Sequence, residues 1–101
     1  MINEPTDYGI LIVDDSPFVT EVLKIFLEQR SKNVFVASNG REGLQIYRQK
    51  NPQLIITDVL MPVMNGLEMS KEIKNSNKNA FIVMTTAMEE TEHLAEAIEI
   101  S

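Results

Sequence analysis

The stretch Leu54-Ile55-Ile56-Thr57-Asp58 constrains the fold more than any other part of the chain. An apolar run rich in β-branched residues ends in one carboxylate. Pro62 and Gly66, in the following Val59-Leu60-Met61-Pro62-Val63-Met64-Asn65-Gly66, keep the strand from continuing. A short run without polar alternation fits a strand buried on both faces of a parallel sheet. In open α/β sheets, ligands and chemistry sit at the C-terminal ends of the strands. Asp58 is therefore the first functional candidate, and every other segment matters by whether it ends nearby.

Ile10-Leu11-Ile12-Val13 is a second apolar run, and it ends in Asp14-Asp15. Two adjacent acids after a strand can be a solvated turn. A fully apolar run predicts a central strand, however, and that places the pair beside Asp58 at one sheet edge. Ser16 is suited to cap a helix with Pro17 at its first position. Val19, Val22, Leu23 and Phe26 recur at helical spacing, which predicts a helix over about residues 16–30. Residues 1–8 read as a loose lead-in.

Val34-Phe35-Val36-Ala37 is the next strand. Asn39, with Glu42 three residues on, has the spacing of a capping box for a helix that turns Leu44 and Tyr47 inward and stops before Asn51-Pro52. Asn65 and Glu68 repeat that spacing ahead of a helix with Leu67 and Ile73 as core contacts. Ala80-Phe81-Ile82-Val83-Met84 is the last apolar run, followed by Thr85-Thr86-Ala87 and an amphipathic stretch from Glu89 carrying Leu94, Ala97 and Ile98. Strands alternating with helices predict βαβ units, a parallel sheet and a single α/β domain over residues 1–101.

With 101 residues, 44% of them hydrophobic, the chain can bury one small core. It has no cysteine, which excludes disulfides and thiolate metal sites. No apolar run approaches the roughly 20 residues that span a bilayer, and Met1-Ile2-Asn3-Glu4-Pro5 lacks a signal-peptide core. These features predict a cytoplasmic protein with no membrane partner. The formal net charge of −6 argues against direct binding to nucleic acid, which needs a basic face.

Asp14-Asp15, Asp58-x-x-Met61-Pro62-x-Met64-Asn65-Gly66 and the Thr86-Ala87 step stand in order at strand ends. Together they resemble the receiver (response-regulator) domains of two-component signalling, from Ile10 to about Ile98. The resemblance implies a flavodoxin-like sheet with strand order 2-1-3-4-5. It implies that Asp58 accepts a phosphoryl group from a phosphohistidine on a sensor histidine kinase or phosphotransfer protein. It also implies Mg2+, held directly by Asp15, Asp58 and the backbone carbonyl of Leu60, with Asp14 acting through water. The Thr86 hydroxyl and the Ala87 backbone N–H would meet the phosphoryl oxygens. These residue types suit the chemistry. Phosphoryl transfer is chiefly positioning plus neutralisation of charge, and Mg2+ takes a few carboxylates, waters and a phosphate. Met61 and Met64 read as packing, Asn65-Gly66 as turn and cap, His93 as a polar helix face, and Lys71, Lys74 and Lys78 as solvated.

Receivers end with a fifth strand and helix, and a Lys-Pro at that strand's end supplies a lysine to the phosphate. No Lys-Pro dipeptide occurs here. The last amphipathic stretch stops in mid-pattern at Glu99-Ile100 without a C-cap. We therefore expect a piece of a longer chain, with a natural short form as the alternative, and an output domain beyond Ser101. Loss of the fifth strand would leave residues 80–85 as a bare edge, so a homodimer through the fourth strand is a further expectation. The rival readings are a contact module that is never phosphorylated and, at more distance, a Mg2+-dependent phosphatase with an aspartyl nucleophile. The latter resembles an Asp-x-Asp after the first strand, whereas the acids here are adjacent.

Overall fold

The structure, a computed structural model, describes residues 6–85. The expectations for Thr86, Ala87, His93, Leu94, Ala97 and Ile98 lie outside the described residues. Strands β1 (Thr6–Val13), β2 (Ser31–Ala37), β3 (Leu54–Asp58) and β4 (Phe81–Thr85) form one parallel sheet in the order β2-β1-β3-β4. Helices α1 (Pro17–Glu28), α2 (Gly40–Lys50) and α3 (Gly66–Ser76) make the crossovers. The path from β1 to β2 runs across the sheet in one direction, and the next two crossovers run in the other. Right-handed connections then put α1 on one face and α2 with α3 on the opposite one. The predicted central strand is central: Val13 pairs with Ala37 on one side and Thr57 on the other.

Side chains alternate across a strand, which divides the apolar residues between the two faces. Leu11, Val13, Ile55 and Ile82 meet Leu44 and Tyr47 of α2 and Met69 and Ile73 of α3 in the main core. Met61 and Met64 pack against it, as the sequence suggests. On the other face Ile10 and Ile12 are buried.

Several boundaries and contacts differ from expectation. β1 begins at Thr6, which pairs with Ser31 of β2, and the register shifts before it resumes at Gly9 opposite Asn33. The Ser31 hydroxyl donates to the Tyr8 carbonyl, and Asn33 Nδ2 donates to the Asp7 carbonyl at 2.8 Å. β2 accordingly starts at Ser31 rather than Val34. In α1 only part of the apolar pattern turns inward. Val19, Leu23 and Leu27 are half-buried, whereas Phe18, Val22, Ile25 and Phe26 are exposed. The Arg30 guanidinium sits 4.1 Å from the centre of the Phe26 ring. Lys74 is not merely solvated, since its ammonium donates to the Ala80 carbonyl at 2.6 Å and clasps the turn before β4.

Candidate functional site

Adjacent strands deliver the acids. Asp14 and Asp15 follow the last residue of β1, and Asp58 is the last residue of β3. One carboxylate oxygen from each of Asp14, Asp15 and Asp58 lies within 4.8 Å of the others. Local hydrogen bonds orient two of them. Asp14 is buried, its N–H donates to the Ala37 carbonyl at 3.1 Å, and its Oδ1 accepts from the Ser16 N–H at 2.9 Å. Asp58 is half-buried and its Oδ1 accepts from the Val59 N–H at 2.8 Å. Asp15 is exposed. Ser16 then caps α1, accepting from the Val19 N–H at 3.3 Å.

Carboxylates this close repel one another unless a cation stands among them. An all-oxygen donor set of converging carboxylates suits a hard divalent ion such as Mg2+. The donors therefore fit the metal that the sequence implies.

Two glycines hold the loop that leaves Asp58. The Gly66 N–H donates to the Val59 carbonyl at 2.8 Å, which closes the loop back on its origin. A Cβ at Gly66 would stand 2.0 Å from the Asp58 carbonyl oxygen, so only glycine fits there. That same carbonyl accepts from the buried Thr57 hydroxyl at 2.8 Å. The Gly40 N–H, at the start of α2, donates to the Met64 carbonyl at 2.8 Å, and a Cβ on Gly40 would meet that oxygen at 2.4 Å. Asn65 and Glu68 form the complete capping box that their spacing predicts. At α2 the device is shifted by one residue. Asn39 accepts from the Glu42 N–H, but the Glu42 carboxylate takes the Ser38 N–H at 2.6 Å rather than that of Asn39.

Between these anchors the backbone is strained. Val63 has φ 72°, and the Met64 N–H donates to the Pro62 carbonyl at 2.8 Å. That is a γ-turn of the positive-φ kind, the rare and strained form. A β-branched residue at positive φ is a genuine outlier and costs about 1–3 kcal/mol. Val63 is 67% exposed, so packing does not offset the strain.

The structure thus brings together Asp14, Asp15 and Asp58, with Leu60 two residues further on in the same loop. Sequence reasoning missed Gly40 and the turn at Val63, and it gave Gly66 a lesser part than it plays. A glycine directly behind each helix cap was the available signal for the two close approaches.

A parallel sheet ordered 2-1-3-4, with an acid pair after the first strand and a lone aspartate ending the third, is a flavodoxin-like receiver fold. The chain belongs to the response regulator receiver domain family, which it matches over residues 10–101. It is 33% identical over 90 residues to the chemotaxis protein CheY of Halobacterium salinarum, covering 89% of this chain and 75% of that protein. The N-terminal domain of an uncharacterized Wolinella succinogenes protein superposes with a TM-score of 0.88 at 32% identity, over 93% of this chain and 76% of that one. Thermotoga maritima TrrA, solved in complex with Mg(2+)-BeF, superposes at 0.78 with 33% identity, over 90% and 79% of the two chains. The chain is thus a receiver domain of the two-component signalling type. Among the described residues no helix is long and apolar enough to cross a membrane.

Proposed function

We propose that Asp58 is the phosphoacceptor of a switch charged by the phosphohistidine of a sensor histidine kinase or phosphotransfer protein. The convergence of Asp14, Asp15 and Asp58 within 4.8 Å carries this reading. Asp58 is the natural nucleophile, because the strand aims it at the sheet edge and the Val59 N–H fixes one of its oxygens. Asp14 and Asp15, with the Leu60 carbonyl, would hold Mg2+. The ion supplies neutralisation of charge on the transferring phosphoryl oxygens. Thr86 and Ala87 would complete the site with a hydroxyl and an N–H on the phosphoryl group. A homodimer through β4 remains part of the proposal, supported by the 61% exposure of Phe81 and 40% of Val83. The charge of −6 keeps nucleic acid off the list of direct partners.

Acetyl phosphate with Mg2+ tests the site without a cognate kinase. The expected result is a covalent phosphoryl adduct, read by intact-mass spectrometry, that disappears in Asp58→Asn. Asp15→Asn should keep the fold, by circular dichroism, and weaken Mg2+ binding about tenfold or more, as loss of one charged ligand does. A chain that takes no label, or an Asp15→Asn variant that titrates with Mg2+ like the parent, would overturn the assignment. Labelling without any effect of Asp58→Asn would move the acceptor elsewhere.

A further inference from the structure

The strained turn at Val63 and the phosphoacceptor share one loop, which two separate sets of hydrogen bonds tie down. Asp58 Oδ1 accepts from the Val59 N–H, and the Val59 carbonyl accepts from the Gly66 N–H across the mouth of the loop. Inside it the Pro62–Val63–Met64 turn exits through the Met64 carbonyl, which accepts from the Gly40 N–H on α2. Val63 has no reason of its own to stay at φ 72°. The loop's anchors hold it there.

We infer that this turn is held under load by anchors that begin at Asp58, and that charging Asp58 releases it toward α2. The inference rests on the phosphoacceptor reading above. When the phosphoryl group arrives, one Asp58 carboxylate oxygen bonds to phosphorus. The phosphorus–nitrogen bond of the donor imidazole breaks, and its electron pair stays on nitrogen. The carboxylate becomes an acyl phosphate, and its two oxygens no longer share a full negative charge. Hydrogen bonds to ionised acceptors are about twice as strong as neutral ones. Oδ1 therefore becomes the weaker partner of the Val59 N–H, whichever oxygen was esterified. With that anchor slackened, Val63 returns to negative φ, where a β-branched residue is unstrained. The peptide between Val63 and Met64 rotates with it. The Met64 carbonyl then gives up the Gly40 N–H, and Gly40, packed directly on that oxygen, reports the change at the start of α2.

The test uses the full chain with Mg2+ and beryllofluoride as the phosphoryl stand-in, read by amide chemical shifts. In the parent, Gly40 and Met64 should shift along with Asp14, Asp15 and Asp58. In Val63→Gly, where positive φ carries no strain, the residues around the acids should shift as before while the Gly40 and Met64 responses are lost. The unliganded variant should also melt about 4 °C or more above the parent. Val63→Asn, which tolerates the same backbone region, serves as a second variant and should behave likewise. Shifts around the acids with Gly40 and Met64 silent in the parent would overturn the inference alone. So would responses at Gly40 and Met64 that are undiminished in both variants. No shift anywhere near the acids, together with no acetyl phosphate label, would remove the phosphoacceptor reading and this inference with it.

Discussion

On one face of the sheet, α2 and α3 lie over Leu11, Val13, Ile55 and Ile82, and Met69 and Ile73 are wholly buried between them. On the other, α1 packs over β2 and β1. There Phe81 and Val83 of β4 stand 61% and 40% exposed, and Phe18, Val22, Ile25 and Phe26 of α1 are exposed too. The two faces are equally apolar in sequence. Among the described residues they differ in how far a second layer covers them, and burial rather than composition turns an apolar residue into stability. The closed face fixes β3 and so Asp58. The open face leaves apolar side chains of β4 and of α1 exposed to water.

The sharpest way to break this comparison is to cut the same strand pair on each side. Ile55→Ala, at a fully buried position, should cost about 2–5 kcal/mol in urea unfolding. Phe81→Ala, at an exposed position on the neighbouring strand, should change stability by about 0.5 kcal/mol or less. Equal losses would mean that the open face is packed after all. A second contrast lies in the helix starts. α3 on the closed face has a reciprocal capping box, whereas Ser16 of α1 makes one longer bond of 3.3 Å. Asn65→Ala should cost about 1 kcal/mol and Ser16→Ala about half that, measured by the same denaturation. The smallest effect on stability, and the most informative for the open face, comes from Val83→Lys. It should leave the unfolding midpoint almost unchanged, because an exposed edge residue contributes little. By sedimentation velocity it should abolish any self-association through β4 that the parent shows at micromolar concentration. An assembly that survives the charge would have to use another surface.

Much of the arrangement was legible before the coordinates. Apolar runs ending in acids fix two of the strand ends, and cap spacings fix the starts of α1, α2 and α3. Right-handed crossovers then allow few sheet orders. What escaped was of two kinds. The first three residues of β1 carry no apolar run, because Asp7 and Tyr8 are exposed, and their pairing depends on side chains of β2. Helical periodicity also marked Val22 and Phe26 as inward, since α1 carries apolar residues on more than one stripe and spacing alone does not say which one meets the sheet. In the site, the three acids were readable from type and position. The turn at Val63 was not, because Pro-Val-Met contains none of the residues that ordinarily announce positive φ. The loop around it is tied through the Gly66 N–H to Val59 and through the Met64 carbonyl to Gly40 of α2, contacts that local sequence does not announce.

Tyr47 gives the molecule a built-in optical gauge. The chain has no tryptophan and two tyrosines, Tyr8 at the exposed start of β1 and Tyr47 at 6% exposure in the main core. The Tyr47 hydroxyl accepts from Asn77 Nδ2 at 3.1 Å, which ties the end of α2 to the cap that ends α3. Near-ultraviolet dichroism from a ring locked in this way, read on a Tyr8→Phe background, follows the seating of α3 against α2 specifically. Intrinsic spectroscopy can therefore report on one helical layer of this protein without any attached label.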